Sequence, residues 1–333
     1  MMSANAARRL IQHYVDNYRR LPWREPPGSD SPDPYRVWLS EIMLQQTTVA
    51  TVIPRFERFV TRWPTVEALA AARDEDVLSE WAGLGYYARA RNLIACARMV
   101  AALGGFPASE AGLRTLPGIG AYTAAAIAAI AFGERTAVID TNVTRVIARL
   151  HGLKVADAAQ IRSLVDAMTP ADRPGDFAQG MMDLGATVCR PRRPNCAACP
   201  LQPDCAAFAS GQPETFPEPK AKKGRPQRFG TAYWTEREGR VWLIRRPASG
   251  LLGGMAALPS SEWSEDHARP NNPAATIRHV FTHFALELDV VRSADPVDEG
   301  RWHPIDRLAE AGLPTLFAKA AEAMLEQDDR LAA

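Results

Sequence analysis

The hydrophobic pattern of this 333-residue chain changes its period once, and that change most constrains the fold. Before about residue 207, long segments carry apolar side chains at helical spacing; after about residue 229, apolar and polar side chains alternate as in half-buried strands. Between these parts, residues 209–228 are rich in Pro, Lys and Arg and have little to bury. The sequence therefore predicts a mostly α domain at 1–208, a basic linker at 209–228 and an α+β domain at 229–333.

Individual elements follow from the same periodicity. In the C-terminal part, residues 231–246 are predicted to form two strands around a Glu-Gly turn, residues 281–291 a strand, and residues 314–327 a closing helix. The first twenty residues form an amphipathic helical pattern with no secretory signal, and no apolar run approaches the ~18 residues of a membrane span. We therefore expect a cytoplasmic protein without a membrane partner. Further helices are predicted around residues 35–53, 87–103, 121–132, 141–150 and 173–187.

Four of the five cysteines lie between residues 189 and 205, in the stretch "CRPRRPNCAACPLQPDC". Reduced compartments disfavour disulfides, so this clustering indicates a metal. The C-x6-C-x2-C-x5-C spacing contains one close pair, whereas structural zinc sites usually contain two, and it also differs from the ferredoxin spacing. From spacing alone an iron–sulfur cluster, zinc and no metal all remain open. The ligands in either metal site would be Cys189, Cys196, Cys199 and Cys205.

The stretch "LPGIG" precedes an alanine-rich helical segment. Gly118 and Gly120 let the backbone approach a ligand, and the free N–H groups of the following helix suit a phosphate. A simple turn between helices explains the same glycines. Nearby arginines, including those at 190, 192 and 193, favour sequence-independent binding to DNA phosphates.

Two acidic residues are candidates for chemistry. Glu41 lies in a segment without Lys or Arg between residues 36 and 55, so burial would raise its pKa and make it a proton donor near neutral pH. The alternative is a solvent-facing glutamate. Asp140 stands immediately before a helical pattern, which predicts a helix N-cap whose free oxygen can still face a cleft.

Taken together, the motifs of this chain resemble those of the MutY family of adenine DNA glycosylases, over nearly the whole length. The motifs that carry the resemblance are "LPWR" (21–24), "WLSEIMLQQT" (38–47), "GLGYYARARNL" (83–93), "LPGIGAYTA" (116–124), "VIDTNVTRV" (138–146), "MMDLGATVC" (181–189), the four-cysteine loop and "FTHF" (281–284), taken as a strand. The resemblance implies a mostly α, helix-hairpin-helix glycosylase domain with a [4Fe–4S] loop, followed by an α+β Nudix-like domain.

The resemblance also implies roles for residues. The enzyme would flip adenine out of duplex DNA, where it is paired with 8-oxoguanine or guanine, and act as a monomer. Glu41 would protonate adenine N7, and Tyr122 and Asn142 would hydrogen-bond the two carboxylates. Asp140 would oppose the positive charge on the sugar, either electrostatically or as a transient nucleophile. The cysteine loop would hold a [4Fe–4S] cluster. The remaining implied contacts are Gln46 and Tyr86 in the base stack, Trp23, Arg24 and Leu44 around adenine, Gly118 and Gly120 on the backbone, and Phe281, Thr282 and His283 at the lesion base.

Three rival functions differ in testable features. An endonuclease III-like glycosylase/lyase needs an amine at the position of Tyr122, and tyrosine cannot form a Schiff base. A Nudix hydrolase needs a glutamate-rich helix after "GLLGGMAALP", where the chain has "SSEWSEDHARP". A non-catalytic DNA-binding iron–sulfur protein would not need both Glu41 and Asp140.

Overall fold

The computed structural model describes residues 2–29, 32–218, 224–247 and 250–332. It divides into two compact units. The first contains residues 1–72 and 92–221, and the second contains residues 73–91 and 222–333. Among the described residues, no helix is long and apolar enough to cross a membrane.

The first unit is built of helices. Three predicted helices are confirmed with their bounds: Tyr87–Leu103, which begins in the second unit, Ala121–Phe132 and Thr141–Leu150. The helices of this unit are α1 (Met2–Asn17), α2 (Pro34–Leu44), α3 (Val49–Arg62), α4 (Val66–Ala70), α6 (Tyr87–Leu103), α7 (Glu110–Leu113), α8 (Ala121–Phe132), α9 (Thr141–Leu150), α10 (Ala158–Met168), α11 (Pro174–Asp183) and α12 (Ala206–Ala209).

The prediction of one continuous helix over residues 35–53 is wrong. α2 ends at Leu44, and α3 begins at Val49 after Thr48 caps it by accepting from the Thr51 N–H. Gln46 adopts a left-handed backbone with φ of 57°, which cannot continue a right-handed helix. The chain therefore turns where the sequence "LQQTTV" offers neither Gly nor Pro as a signal.

Helix α8 forms the centre of the first unit. Most of its residues are alanine, and all of these except Ala121 are almost completely buried. Small side chains allow α2, α7 and α11 to pack closely against it. At Gly175 on α11, an added Cβ would come within 2.7 Å of the Ala129 carbonyl oxygen, so the backbones touch there. The helix ends at Gly133, whose φ of 67° provides a left-handed C-cap.

The second unit combines α5 (Asp74–Glu80) and α13 (Thr315–Ala332) with two sheets in its described residues. In one sheet β6 (Ala285–Arg292) lies between a parallel β1 (Gln227–Trp234) and an antiparallel β5 (Ala275–Val280). In the other, β3 (Arg240–Arg245) pairs with β2 (Glu236–Arg237), β4 (Ala256–Ala257) and β7 (Gly300–Pro304). Leu286, Leu288 and Val290 pack against Phe317 of α13, so the predicted alternation and closing helix are confirmed.

Two strand predictions need correction. The predicted Glu-Gly turn is present, with φ of 50° at Glu238 and 68° at Gly239. It connects the two-residue strand β2 to β3. The longer strand before the turn, β1, does not pair with β3 but with β6 in the other sheet. Residues 281–284 are not a strand. They form the turn between β5 and β6, closed by a 2.9 Å bond from the Phe281 N–H to the Phe284 carbonyl.

Candidate active site and cysteine loop

Glu41 is a buried acid on α2, with 7% of the residue exposed. Removal from water raises its pKa from 4.5 to about 7. A hydrogen bond with Tyr122 and the positive charge of Arg24 lower the pKa, and the negative charge of Asp140 raises it, but desolvation is the largest effect. A carboxyl group with this pKa is substantially protonated near neutral pH and can act as a general acid.

Asp140 caps the N-terminus of α9, as predicted. Its Oδ1 accepts from the Val143 N–H at 2.6 Å, and its Oδ2 accepts from Asn142 Nδ2 at 2.9 Å. These bonds fix the carboxylate at the N-terminus of the helix. The aspartate is half-buried, so it can present this fixed negative charge to a bound group.

One cavity of about 860 Å³ brings the predicted catalytic and adenine-pocket residues together. Its volume lies within the range of ligand pockets, ~300–1,000 Å³. Chain segments far apart in sequence contribute to it, chiefly α2, the start of α8 and the start of α9. The predicted residues that line it are Trp23, Arg24, Glu41, Leu44, Gln46, Tyr122, Asp140 and Asn142.

Sequence reasoning missed Arg19, which lines this cavity, and Asp183, which binds two arginines of the cavity wall, Arg19 and Arg24. Asp183, on α11, is 7% exposed and accepts from Arg24 Nη1 at 2.6 Å and from Arg19 Nε at 2.7 Å. Arg24 is therefore held beside Glu41 by a buried acid. A lone aspartate in the apolar stretch "MMDLGA" is the same signal that identified Glu41, and it could have found Asp183.

Gln46 lies where α2 gives way to α3, at the rim of the cavity. It is exposed, and its left-handed backbone costs on the order of 1 kcal/mol for a residue with a Cβ. Residues in such conformations concentrate at functional sites. The preceding residue, Gln45, donates through Nε2 to Thr123 Oγ1 at 3.3 Å and thereby ties the turn to α8.

The two glycines of "LPGIG" form the turn between α7 and α8. Gly118 has a φ of 74°, and an added Cβ would lie 2.6 Å from Asn92 Cβ, so only glycine fits there. Gly120 is the N-cap of α8, and an added Cβ there would meet nothing within 4 Å. The backbone at Gly120 is thus open to a ligand, as phosphate binding requires.

Tyr86 and Thr282 meet in the second unit. Tyr86 is 48% exposed, has a φ of 48°, and its hydroxyl hydrogen-bonds with Thr282 Oγ1. The guanidinium of Arg89 lies 5.4 Å from the Tyr86 ring centroid and donates to the Leu84 carbonyl at 2.8 Å. Arg89 therefore supports the Tyr86 ring.

A cavity of about 580 Å³ in the second unit contains Tyr86 and the turn between β5 and β6. Thr282 and His283 are exposed at the tip of this turn. Phe281 stacks on Trp263 with ring centroids 5.7 Å apart. The turn thus presents polar groups on a rigid aromatic support.

The four clustered cysteines line one small cavity. All four are half-buried, and burial raises the pKa of Cys199 to about 11. Burial also raises the pKa of Cys205, while hydrogen bonds with the backbone of Phe208 and Ala207 and, less strongly, the charge of Arg149 oppose the rise. Among the described residues, no three Cys, His, Asp or Glu side chains converge on one metal ion. A four-iron cluster binds each cysteine through a different iron, so it fits a wider arrangement than zinc does.

Hydrogen bonds connect the cysteine loop to Asp140. Arg145 donates through Nε to the Cys189 carbonyl at 2.9 Å and through Nη2 to Asn142 Oδ1, also at 2.9 Å. Asn142 in turn donates to Asp140. At Gly185 an added Cβ would lie 2.6 Å from Asn142 Cβ, so the chain leading into the loop packs directly on this asparagine.

Comparison with known proteins agrees with this geometry. Residues 39–170 match the model of the HhH-GPD superfamily base excision DNA repair proteins, and residues 230–323 match the NUDIX domain. A solved thermostable thymine-DNA glycosylase is 27% identical, covers 63% of this chain and 97% of its own, and superposes with a TM-score of 0.57. An endonuclease III trapped on DNA, 23% identical with a TM-score of 0.53, shares the fold. The chain is thus a helix-hairpin-helix base excision glycosylase with a Nudix-like second part, and the predicted fold class is confirmed.

Curated relatives define the family more narrowly. The adenine DNA glycosylase of Mus musculus is 33% identical over 93% of this chain and 76% of its own. The adenine DNA glycosylase of Mycobacterium tuberculosis is 41% identical over 71% of this chain and 76% of its own length. The adenine DNA glycosylase of Homo sapiens is 36% identical over 84% of this chain and 65% of its own length. The chain belongs to the adenine DNA glycosylase family. It is a DNA repair enzyme that cleaves N-glycosyl bonds.

Proposed function

We propose that this enzyme excises adenine paired with 8-oxoguanine or guanine, hydrolysing the N-glycosidic bond to leave an abasic site. The observation that carries the proposal is the pairing of Glu41, a buried carboxyl with a pKa of about 7, with Asp140 in one cavity. Protonated acid and fixed anion in one pocket is the arrangement that glycosidic bond cleavage requires.

Glu41 acts as the general acid. Adenine is a poor leaving group until its ring is protonated, and N7 is the site open to a donor once the base is flipped into the pocket. Arg24, held by Asp183, limits the rise of the Glu41 pKa and keeps the acid strong enough to give up its proton. After the bond breaks, the carboxylate can orient the attacking water.

Asp140 acts on the sugar. Cleavage leaves positive charge on the deoxyribose, and a carboxylate fixed by Val143 and Asn142 stabilises that charge without reorganising. Tyr122 bonds Glu41 and bears no amine, and no lysine is present among the residues that line the cavity. This favours hydrolysis over the lyase reaction of a bifunctional enzyme.

Cys189, Cys196, Cys199 and Cys205 would hold a [4Fe–4S] cluster, which supplies structural order to the loop that carries Arg190, Arg192 and Arg193. Those arginines are exposed and would meet DNA phosphates, together with the open backbone at Gly120.

Gln46 and Tyr86 would occupy the base stack, and Phe281, Thr282 and His283 would contact the lesion base. The exposure of Gln46 and Tyr86 and their left-handed backbones support the first role. We propose a monomer that acts on chromosomal duplex DNA in the cytoplasm.

The test is single-turnover excision from a duplex with adenine opposite 8-oxoguanine. The rate should fall about tenfold per pH unit above pH 7, because Glu41 loses its proton there. Glu41→Gln should bind the duplex but excise ~10²–10⁴-fold more slowly, or slower still. The exposed Glu57→Gln is the matched control. Near-normal excision by Glu41→Gln would contradict the assignment.

A further inference from the structure

Arg149 is an arginine with only 3% of its surface exposed, at the end of α9. Its guanidinium donates to backbone carbonyls through three nitrogens: Nε to Phe216 at 3.1 Å, Nη1 to Arg190 at 2.6 Å and Nη2 to Pro191 at 2.9 Å. Nη1 also lies 3.4 Å from the Sγ of Cys189. One side chain thus holds the first residues of the cysteine loop.

The charge of Arg149 is not neutralised by an acid. Among the ion pairs of the described residues, none includes Arg149. Carbonyl dipoles solvate a buried cation, but they supply no net negative charge, and a buried unpaired charge is strongly unfavourable. An anionic partner close to the guanidinium would therefore stabilise its buried charge.

The position of that partner follows from the cavity. Arg149 lines the same cavity as Cys189, Cys196, Cys199 and Cys205. The Sγ of Cys205 lies 3.5 Å from the Arg149 carbonyl oxygen, so cysteines at both ends of the loop contact this one residue. Four cysteine thiolates around a [4Fe–4S] core carry net negative charge. That negative charge would neutralise the guanidinium of Arg149.

We propose that Arg149 is a positioning residue that serves as the internal counter-cation of the cluster and at the same time fixes the basic arm, residues 190–193. The inference rests on the cluster proposed above. A positive charge and an N–H···S contact at Cys189 stabilise the reduced cluster more than the oxidised one, because the reduced cluster is more negative. The carbonyl bonds hold the arm that would meet DNA.

The experiment uses the full-length holoprotein and three variants. Arg149→Met removes both the charge and the fork of donors, and Arg149→Lys keeps the charge but cannot reach several carbonyls at once. Arg162→Met, on the exposed face of α10, is the matched control. The readouts are iron content, cluster reduction potential by voltammetry, the rate of cluster loss with a chelator, and trypsin cleavage after Arg192, since Arg190 and Arg193 precede proline and resist trypsin.

Arg149→Met should shift the potential to more negative values, lose its cluster about 10–100-fold faster and be cleaved faster after Arg192. Arg149→Lys should keep a potential near that of the wild type but show the faster cleavage, and Arg162→Met should change none of these.

An unchanged potential in a cluster-loaded Arg149→Met protein overturns the counter-cation role. If that variant does not fold, an Arg149→Lys protein with a shifted potential or wild-type cleavage overturns the proposal. Wild-type protein without about four irons per chain overturns the cluster itself, which iron analysis alone reveals.

Discussion

Arg24 and Asp183 form an ion pair that is shielded from water: Nη1 lies 2.6 Å from Oδ2, and the two side chains are 7% and 9% exposed. The partners are 159 positions apart, so the pair joins the N-terminal "LPWR" segment to α11. Arg24 lowers the pKa of Glu41, and Asp183 offsets the charge with which it does so. The strength of the proposed acid, Glu41, therefore depends on Asp183, a residue that does not need to touch it.

The first prediction concerns this dependence. In Asp183→Asn, the charge of Arg24 acts on Glu41 without compensation, so the pKa of Glu41 should fall. The alkaline limb of the excision-rate profile should then move to lower pH, and the rate at pH 8 should drop more than the rate at pH 6. Single-turnover rates across pH measure this. Asp16→Asn, an exposed change on α1, should leave the profile in place; an unmoved profile in Asp183→Asn would refute the coupling.

A second prediction concerns stability. Because the folded-state pKa of Glu41, about 7, lies above its ordinary value of 4.5, folding favours the protonated form. The contribution of Glu41 to the free energy of unfolding is therefore complete below about pH 4.5 and is lost as the pH rises through 7. Glu41→Gln should therefore raise the free energy of unfolding relative to the wild type by up to about 3 kcal/mol at pH 8 and by little at pH 4. Denaturant titrations at both pH values test this; a benefit independent of pH would argue against a buried titrating carboxyl.

The sequence predicted local features well and long-range ones poorly. Helices α8 and α9 and the buried face of β6 have strong periodicity, and all are confirmed. The break at Gln46 was missed because its left-handed backbone is imposed by surrounding packing rather than by Gly or Pro. The uncharged segment around Glu41 left burial and solvent exposure as alternatives, and the structure buries the residue. The ion pair of Arg24 with Asp183 could not be predicted, because no local pattern relates residues 159 positions apart.

The third prediction concerns the reaction product. Tyr122 provides no amine, so the product strand should stay intact at neutral pH and break at the abasic site only after alkali. Denaturing gels with and without alkali distinguish the two outcomes. Borohydride should trap no covalent protein–DNA adduct, whereas an endonuclease III run in parallel should be trapped. Efficient trapping with the wild-type chain would favour the bifunctional alternative.

The fourth prediction concerns the hydroxyl pair of Tyr86 and Thr282. If Thr282 reads the lesion base and Tyr86 orients it, Thr282→Ala and Tyr86→Phe should each reduce the preference for 8-oxoguanine over guanine, by at most ~1–3 kcal/mol for a lost base contact. The double variant should lose less than the sum, because the residues share one hydrogen bond. Ser293→Ala removes a hydroxyl elsewhere in the second unit and should leave the preference unchanged. Additive losses would show that the pair does not act together.

The last prediction concerns where a functional fragment can end. Residues 213–218 are part of the first unit and contact its residues Arg149 and Lys154. The Phe216 carbonyl accepts from Arg149, the Glu218 N–H donates to the Lys154 carbonyl at 2.9 Å, and Lys154 Nζ lies 4.5 Å from the Phe216 ring centroid. A chain ending at Glu218 keeps these contacts, and one ending at Gly211 loses them.

Both fragments should excise adenine weakly and lose most of the preference for 8-oxoguanine, since residues 281–283 are absent. The shorter chain should also melt at lower temperature and release iron faster, because Arg149 is left without one of its carbonyl partners. Equal melting and iron release would show that residues 213–218 do not stabilise the loop. Full preference in the longer fragment would place lesion recognition before residue 219.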